Sequence, residues 1–122
     1  MHNEKFLTKL SLLSKDLLTL LCIQEAIDKI ESFAAPFSDT ALFYESKVHF
    51  DAVLMNFVVI GEAVDKLTPE LKSTHPDIPW QKIKDFRNLV AHDYLGIDAE
   101  EVWQIIHLHL SPFKKRILGL IS

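Results

Sequence analysis

Asp85-Phe86-Arg87-Asn88-Leu89-Val90-Ala91-His92-Asp93-Tyr94 places a permanent cation, an amide, an imidazole and a phenol within eight residues of each other. Apolar helical segments flank it on both sides. Arg87 can grip a phosphate in a bidentate fork and keeps its proton at any physiological pH. His92 is the side chain suited to moving a proton near neutrality, and Tyr94 offers a hydroxyl that can donate a hydrogen bond or be modified. On an ideal helix Arg87 and Tyr94, seven apart, share a face, whereas His92 lies roughly 140° round from Arg87 at about 100° per residue. One unbroken helix therefore does not bring Arg87 and His92 together. Either the helix opens near Ala91 or the site draws on two chains.

The rest of the chain reads as helix. From Leu10 the positions Leu10, Leu13, Leu17, Leu20, Ile23, Ile27 and Ile30 repeat at threes and fours, the period of an amphipathic helix. It ends near Phe33, because Pro36 disfavours helix in the residue before it. Residues 1–12 form a mixed lead-in open to extending that helix backward. A second helix begins between Asp39 and Ser46 and runs through Val48, Ala52, Val53, Phe57, Ile60, Val64 and Leu67. From Ala52 to Val64 it is apolar nearly all round, the pattern of a helix that faces protein on more than one side. In so short a chain a subunit interface is a natural second side. Gly61 costs up to about 1 kcal/mol inside a helix, so close backbone packing is expected there. Asn56 and Glu62 interrupt the apolar run. They lie on an exposed face, or they line a cleft and hold Arg87.

Thr68-Pro69-Glu70 reads as an N-cap with Pro at the first helical position. A connector with two prolines, Ser73 to Pro79, leads into the helix that carries the motif. Gly96 is placed to stop the chain in a left-handed conformation. Asp98 with Glu101 three residues on resembles a capping box, and the last helix carries Val102, Ile105, Ile106, Leu110, Phe113, Ile117 and Leu120. Pro112 removes one backbone hydrogen bond and predicts a kink near Leu108. No strand-like alternation, internal repeat or low-complexity segment is present.

Composition narrows the function classes. A chain of 122 residues with 48% apolar content is one domain with one core. No apolar run reaches the roughly 18 residues of a membrane span, and the N-terminus lacks the order of a signal peptide, so a cytoplasmic location is expected. Cys22 is the single cysteine, which excludes an intrachain disulfide; its apolar helical setting reads as a small core residue. The net charge of −4 argues against a broadly basic nucleic-acid binder. Any RNA contact must be local; Lys82, Lys84 and Arg87 near the motif and Lys114-Lys115-Arg116 near the C-terminus are the basic clusters, and such clusters are usually solvated faces. No two of the six histidines are three or four apart, and no cysteine pair exists, so neither a metal site nor any cofactor is expected. No nucleophile-elbow or phosphate-cradling glycine pattern occurs.

Arg-x4-His-x-Tyr, here Arg87, His92 and Tyr94, resembles the signature of HepT-like toxins in the HEPN superfamily. The likeness extends through Asn56-Phe57-Val58-Val59-Ile60-Gly61-Glu62-Ala63, Leu67-Thr68-Pro69-Glu70-Leu71, His75-Pro76-Asp77-Ile78-Pro79-Trp80, Gly96-Ile97-Asp98 and Val102-Trp103, in order and spacing, from about residue 14 to 120. It implies an all-α HEPN-type bundle of four long helices plus a short one over residues 1–122, assembled as a homodimer. It implies the toxin of a type VII HEPN/MNT toxin–antitoxin system, a metal-independent endoribonuclease with Arg87 and His92 placed across a dimer cleft. Asn88, Asn56 and Glu62 are the candidate supporting residues. Tyr94 would accept AMP from a cognate MNT-type nucleotidyltransferase antitoxin and so silence the enzyme; otherwise Tyr94 orients Arg87 or packs at the interface. The alternative is a non-catalytic helical subunit that binds nucleotide or substrate for a nucleotidyltransferase.

Overall fold

The computed structural model describes residues 2–122 and, within them, every side chain except those of residues 2, 3, 6 and 8–11. The elements are α1 (His2–Ala34), α2 (Thr40–Glu45), α3 (Lys47–Lys66), α4 (Pro69–Thr74), α5 (Trp80–His92), a 3₁₀ turn (Tyr94–Gly96), α6 (Ala99–Gln104), a π-turn (Ile105–His109) and α7 (Leu110–Ile121). All regular structure among the described residues is helical. The all-α expectation holds: α1, α3, α5 and the near-continuous α6–α7 rod are the four long pieces. There are two short helices rather than one. Ser46 leaves the helical region (φ −84°, ψ 85°) and separates α2 from α3, while its hydroxyl meets Nδ1 of His49 at 2.6 Å. The short α2 is held by burial of Phe43, whose ring packs on Phe37, Phe50 and Trp103 with centroids 5.3–5.7 Å apart.

α3 is the central rod, packed against both α1 and α5, and α1 also packs on α7. Phe50, Val53, Leu54, Phe57, Ile60 and Val64 bury one face of α3, each such side chain contributing about 1.5–3 kcal/mol of transfer free energy. Leu20, Ile23, Ile27 and Ile30 meet it from α1. The α1 stripe is only partly used: Leu13 and Leu17 are exposed, lying about 80° and 120° round the helix from the fully buried Ile23, and Leu10 lies outside the described side chains. Cys22 is also exposed rather than in the core, being about 100° round α1 from the fully buried Ile23.

Polar ties fix the corners. Asp16, buried on α1, accepts from the Thr68 amide (3.0 Å) and hydroxyl (2.6 Å), and the Thr68 hydroxyl accepts in turn from Leu71 N–H to cap α4. Lys114 of α7 bridges Asp28 and Glu31 of α1 at 2.9 and 2.8 Å. Hydrogen bonds to Glu31 first and Asp28 second push its ammonium pKa up to about 12. Asp98 caps α6 by accepting from Glu100 rather than from Glu101. Before Pro112, around Leu108 where the sequence predicts a kink, the helix widens into the π-turn, with Leu110 N–H donating to Ile105 C=O.

Candidate active site

α5 runs antiparallel to α3. Phe86 meets Phe57 edge-on at 5.2 Å, and Arg87 sits on Gly61. A Cβ added at Gly61 would fall 2.2 Å from Arg87 Cβ and 2.5 Å from Cγ. The glycine is there for space, as its place in the apolar run led us to expect. The close approach lays the Arg87 stem flat on α3 and leaves its head beside Glu62, one residue along. Nη2 donates to the Glu62 carboxylate, and Nη1 donates to Asn88 Oδ1 at 2.7 Å. Nε is buried and has no partner, so an incoming phosphate can approach only the Nη1–Nη2 end. Glu62 and Asn88 thus meet Arg87. Asn56 does not: its amide donates back to Ala52 C=O at 2.8 Å, because it points about 120° away from Glu62 round α3.

α5 remains a helix through His92, and Asp93 caps it by donating N–H to Leu89 C=O at 2.8 Å. The helix does not open at Ala91, so the roughly 140° between Arg87 and His92 stands within one chain. His92 is exposed at the end of the helix.

Tyr94 departs from the helical expectation. Asp93 (φ −141°, ψ 51°) leaves the helix, and the 3₁₀ turn carries Tyr94 over the first half of α3, where its hydroxyl donates to Asp51. That hydrogen bond, then burial and the Asp51 charge, raises the phenol pKa above its ordinary value. Asp51 and Glu62 are eleven residues apart, so they share a face of α3 at about 16 Å along the axis. Arg87 and Tyr94 are therefore anchored three turns apart rather than side by side. Gly96 is not left-handed, since no glycine has positive φ. It leaves room for the Asp93 carboxylate, which a Cβ would meet at 2.4 Å.

Sequence reasoning missed Asp51 and Asp65. Their signal was available: Val48, Asp51, Met55, Val59 and Glu62 fall within about 80° of arc on α3, a partly exposed stripe of mixed acidic and apolar residues opposite the core face. Asp65 extends it and pairs with Lys84 of α5 at 3.2 Å. The two basic clusters also separate. Lys114 and Arg116 are engaged with α1 and with Asp77, whereas Lys82 and Lys84 lie beside the site. Among the described residues no cluster of three His, Cys, Asp or Glu side chains could hold a metal ion, and no helix is long and apolar enough to cross a membrane.

Residues 23–118 match the family described as ribonuclease HepT-like. A protein of Thermococcus cleftensis named as a probable ribonuclease HepT is 32% identical over 92 residues, covering 75% of this chain and 83% of its own length. A Methanocaldococcus jannaschii protein named both for gamma-glutamylcyclotransferase and for RNase is 28% identical over 82% of this chain; the match spans only 45% of that longer protein. A protein named as an RNase from Caldanaerobacter subterraneus subsp. tengcongensis is 28% identical over 66% of this chain and 71% of its own. No solved structure matches the chain.

Proposed function

The chain belongs to the HepT-like ribonuclease family, which makes it an endoribonuclease, and from that premise we propose that it cuts RNA without a metal, using Arg87 of one subunit and His92 of another. The observation that carries the two-chain reading is the unbroken α5 helix: Arg87 is seated on Gly61 and Glu62, and His92 is exposed at the same helix's end on a different face. A second copy related by a two-fold axis supplies what one chain lacks. The exposed stripe of α3, with Val48 and Met55 open to solvent, and the exposed Leu89 and Leu95 beside the motif are the apolar surface for that interface.

In the reaction His92 removes the proton of a 2′-hydroxyl or protonates the leaving 5′-oxygen. Arg87 stabilises the charge that builds on the phosphorane. The product end is a 2′,3′-cyclic phosphate. Asn88 and Glu62 hold the guanidinium in place. The protein acts as a toxin, and an MNT-type nucleotidyltransferase partner silences it by transferring AMP to the Tyr94 hydroxyl. With Tyr94 anchored at Asp51, the nucleotide would occupy the His92 end of the cleft rather than cover the same chain's Arg87.

Mixing two dead variants tests this. Arg87→Ala and His92→Ala should each lower cleavage by roughly 10²–10⁴. After subunit exchange, half the dimers are mixed and each holds one intact composite site, so about a quarter of wild-type activity should return if the two-fold places Arg87 opposite His92. No recovery despite proven exchange refutes the composite site. If wild-type protein cuts no RNA and its expression leaves growth unaffected, the substrate-binding subunit takes its place. Intact mass after co-expression with the partner should rise in AMP steps on wild type and not on Tyr94→Phe.

A further inference from the structure

Beyond Arg87, toward the start of α5, lies an open groove of about 510 Å³ between α3, α4 and α5. Lys72, Lys82 and Lys84 line it with Trp80, Gln81 and the single carboxylate of Asp65. Three ammonium groups against one carboxylate make this a local positive surface on a chain whose net charge is −4. The wall is fixed: Trp80 Nε1 donates to the carbonyls of Lys72 and His75 at 3.2 and 3.0 Å. Lys72 Nζ in turn donates to Val64 C=O at the end of α3. The groove opens onto the site through Lys84, which is three residues before Arg87 and hence its neighbour on α5. The two cations are held alike, Arg87 by Glu62 and Lys84 by Asp65, on successive turns of α3.

We infer that this groove is a backbone subsite for single-stranded RNA, in which Lys82 and Lys84 bind phosphates on one side of the one held by Arg87. It rests on the RNA-cleavage reading and adds the path of the strand. The Lys84–Asp65 pair is half exposed; such pairs are weak, so a phosphate can displace the carboxylate. Lys82 is exposed and makes no ion pair among the described residues. The subsite reads charge and not base, so it confers affinity and directs the strand without setting sequence preference.

The test uses a fluorescent 2′-O-methyl RNA dodecamer, which lacks the attacking hydroxyl and stays intact, with anisotropy measured against potassium chloride concentration. Cleavage of the matching unmodified RNA is followed in parallel. Lys82→Ala and Lys84→Ala should each weaken binding several-fold and flatten the log–log salt slope by about 0.7. Asp65→Asn frees Lys84 and should tighten binding, which a merely structural pair would not do. Lys115→Ala, on α7, should leave binding unchanged. If wild type cuts RNA but both groove variants bind as wild type, or Lys115→Ala loses as much as they do, the subsite is wrong while the ribonuclease reading stands. If wild type neither binds nor cuts any RNA, both fall together.

Discussion

Gly61→Ala puts one methyl group where the structure has no room for it. The new carbon would lie 2.2 Å from Arg87 Cβ and 2.5 Å from Cγ, against an ordinary contact of 3.4–4 Å. The Arg87 stem or the whole of α5 must retreat by the difference, 3.4 minus 2.2, or about 1.2 Å. Two opposing terms set the stability. Alanine gains up to about 1 kcal/mol over glycine inside a helix, and overpacking costs about 1–3 kcal/mol. The net is a loss between zero and about 3 kcal/mol, so the variant should fold. Activity should suffer more than stability, since a displacement near 1 Å of a group that must meet a transition state costs on the order of 10²-fold. The control is Gly119→Ala, where a Cβ meets nothing within 4 Å and melting temperature should hold or rise. Urea unfolding and kcat on a defined RNA measure both terms. Wild-type turnover in Gly61→Ala, with a melting temperature matching the control, would refute the argument that glycine seats Arg87.

Asp16→Ala strips two hydrogen bonds from Thr68 at a buried position and should cost about 1–3 kcal/mol in urea unfolding, since the Thr68 amide and hydroxyl hydrogens lose their acceptor. Asp51→Asn should bring the Tyr94 phenol back down toward its ordinary pKa of 10.0, read from phenolate absorbance against Tyr94→Phe; no change would mean that Asp51 does not hold the phenol in solution. Because that pKa is raised in the folded protein, the bond adds stability below pH 10 and loses it as pH rises further. Lys114 follows the same sign: its folded pKa of about 12 exceeds 10.5, so its contribution is complete below about pH 10.5 and fades through pH 12. Lys114→Met should therefore be less stable than wild type at pH 8, with the gap closing in strong alkali.

The amino-acid sequence by itself determined the helices, because three-to-four periodicity, Pro36, the Thr68-Pro69 cap and Pro112 are local signals that act within a few residues. It also singled out Arg87, His92 and Tyr94, whose side-chain chemistry does not depend on the fold, and it carried the family resemblance. It showed that one helix cannot unite Arg87 with His92, since that is a matter of spacing alone. What it could not supply was which side chains meet across elements. Asn56 and Glu62 were equal candidates to hold Arg87; the packing of α5 on Gly61 chose Glu62 and turned Asn56 back on its own helix. Asp51 had no motif to mark it, and it became Tyr94's partner only because the chain leaves the helix at Asp93. Cys22 and Leu17 fitted an apolar pattern, yet the face of α1 that α3 and α7 cover, centred near Ile23, left them in solvent. Periodicity is local and can be read from order alone, whereas a contact between residues 25 or 43 positions apart exists only once two helices have chosen a closest approach.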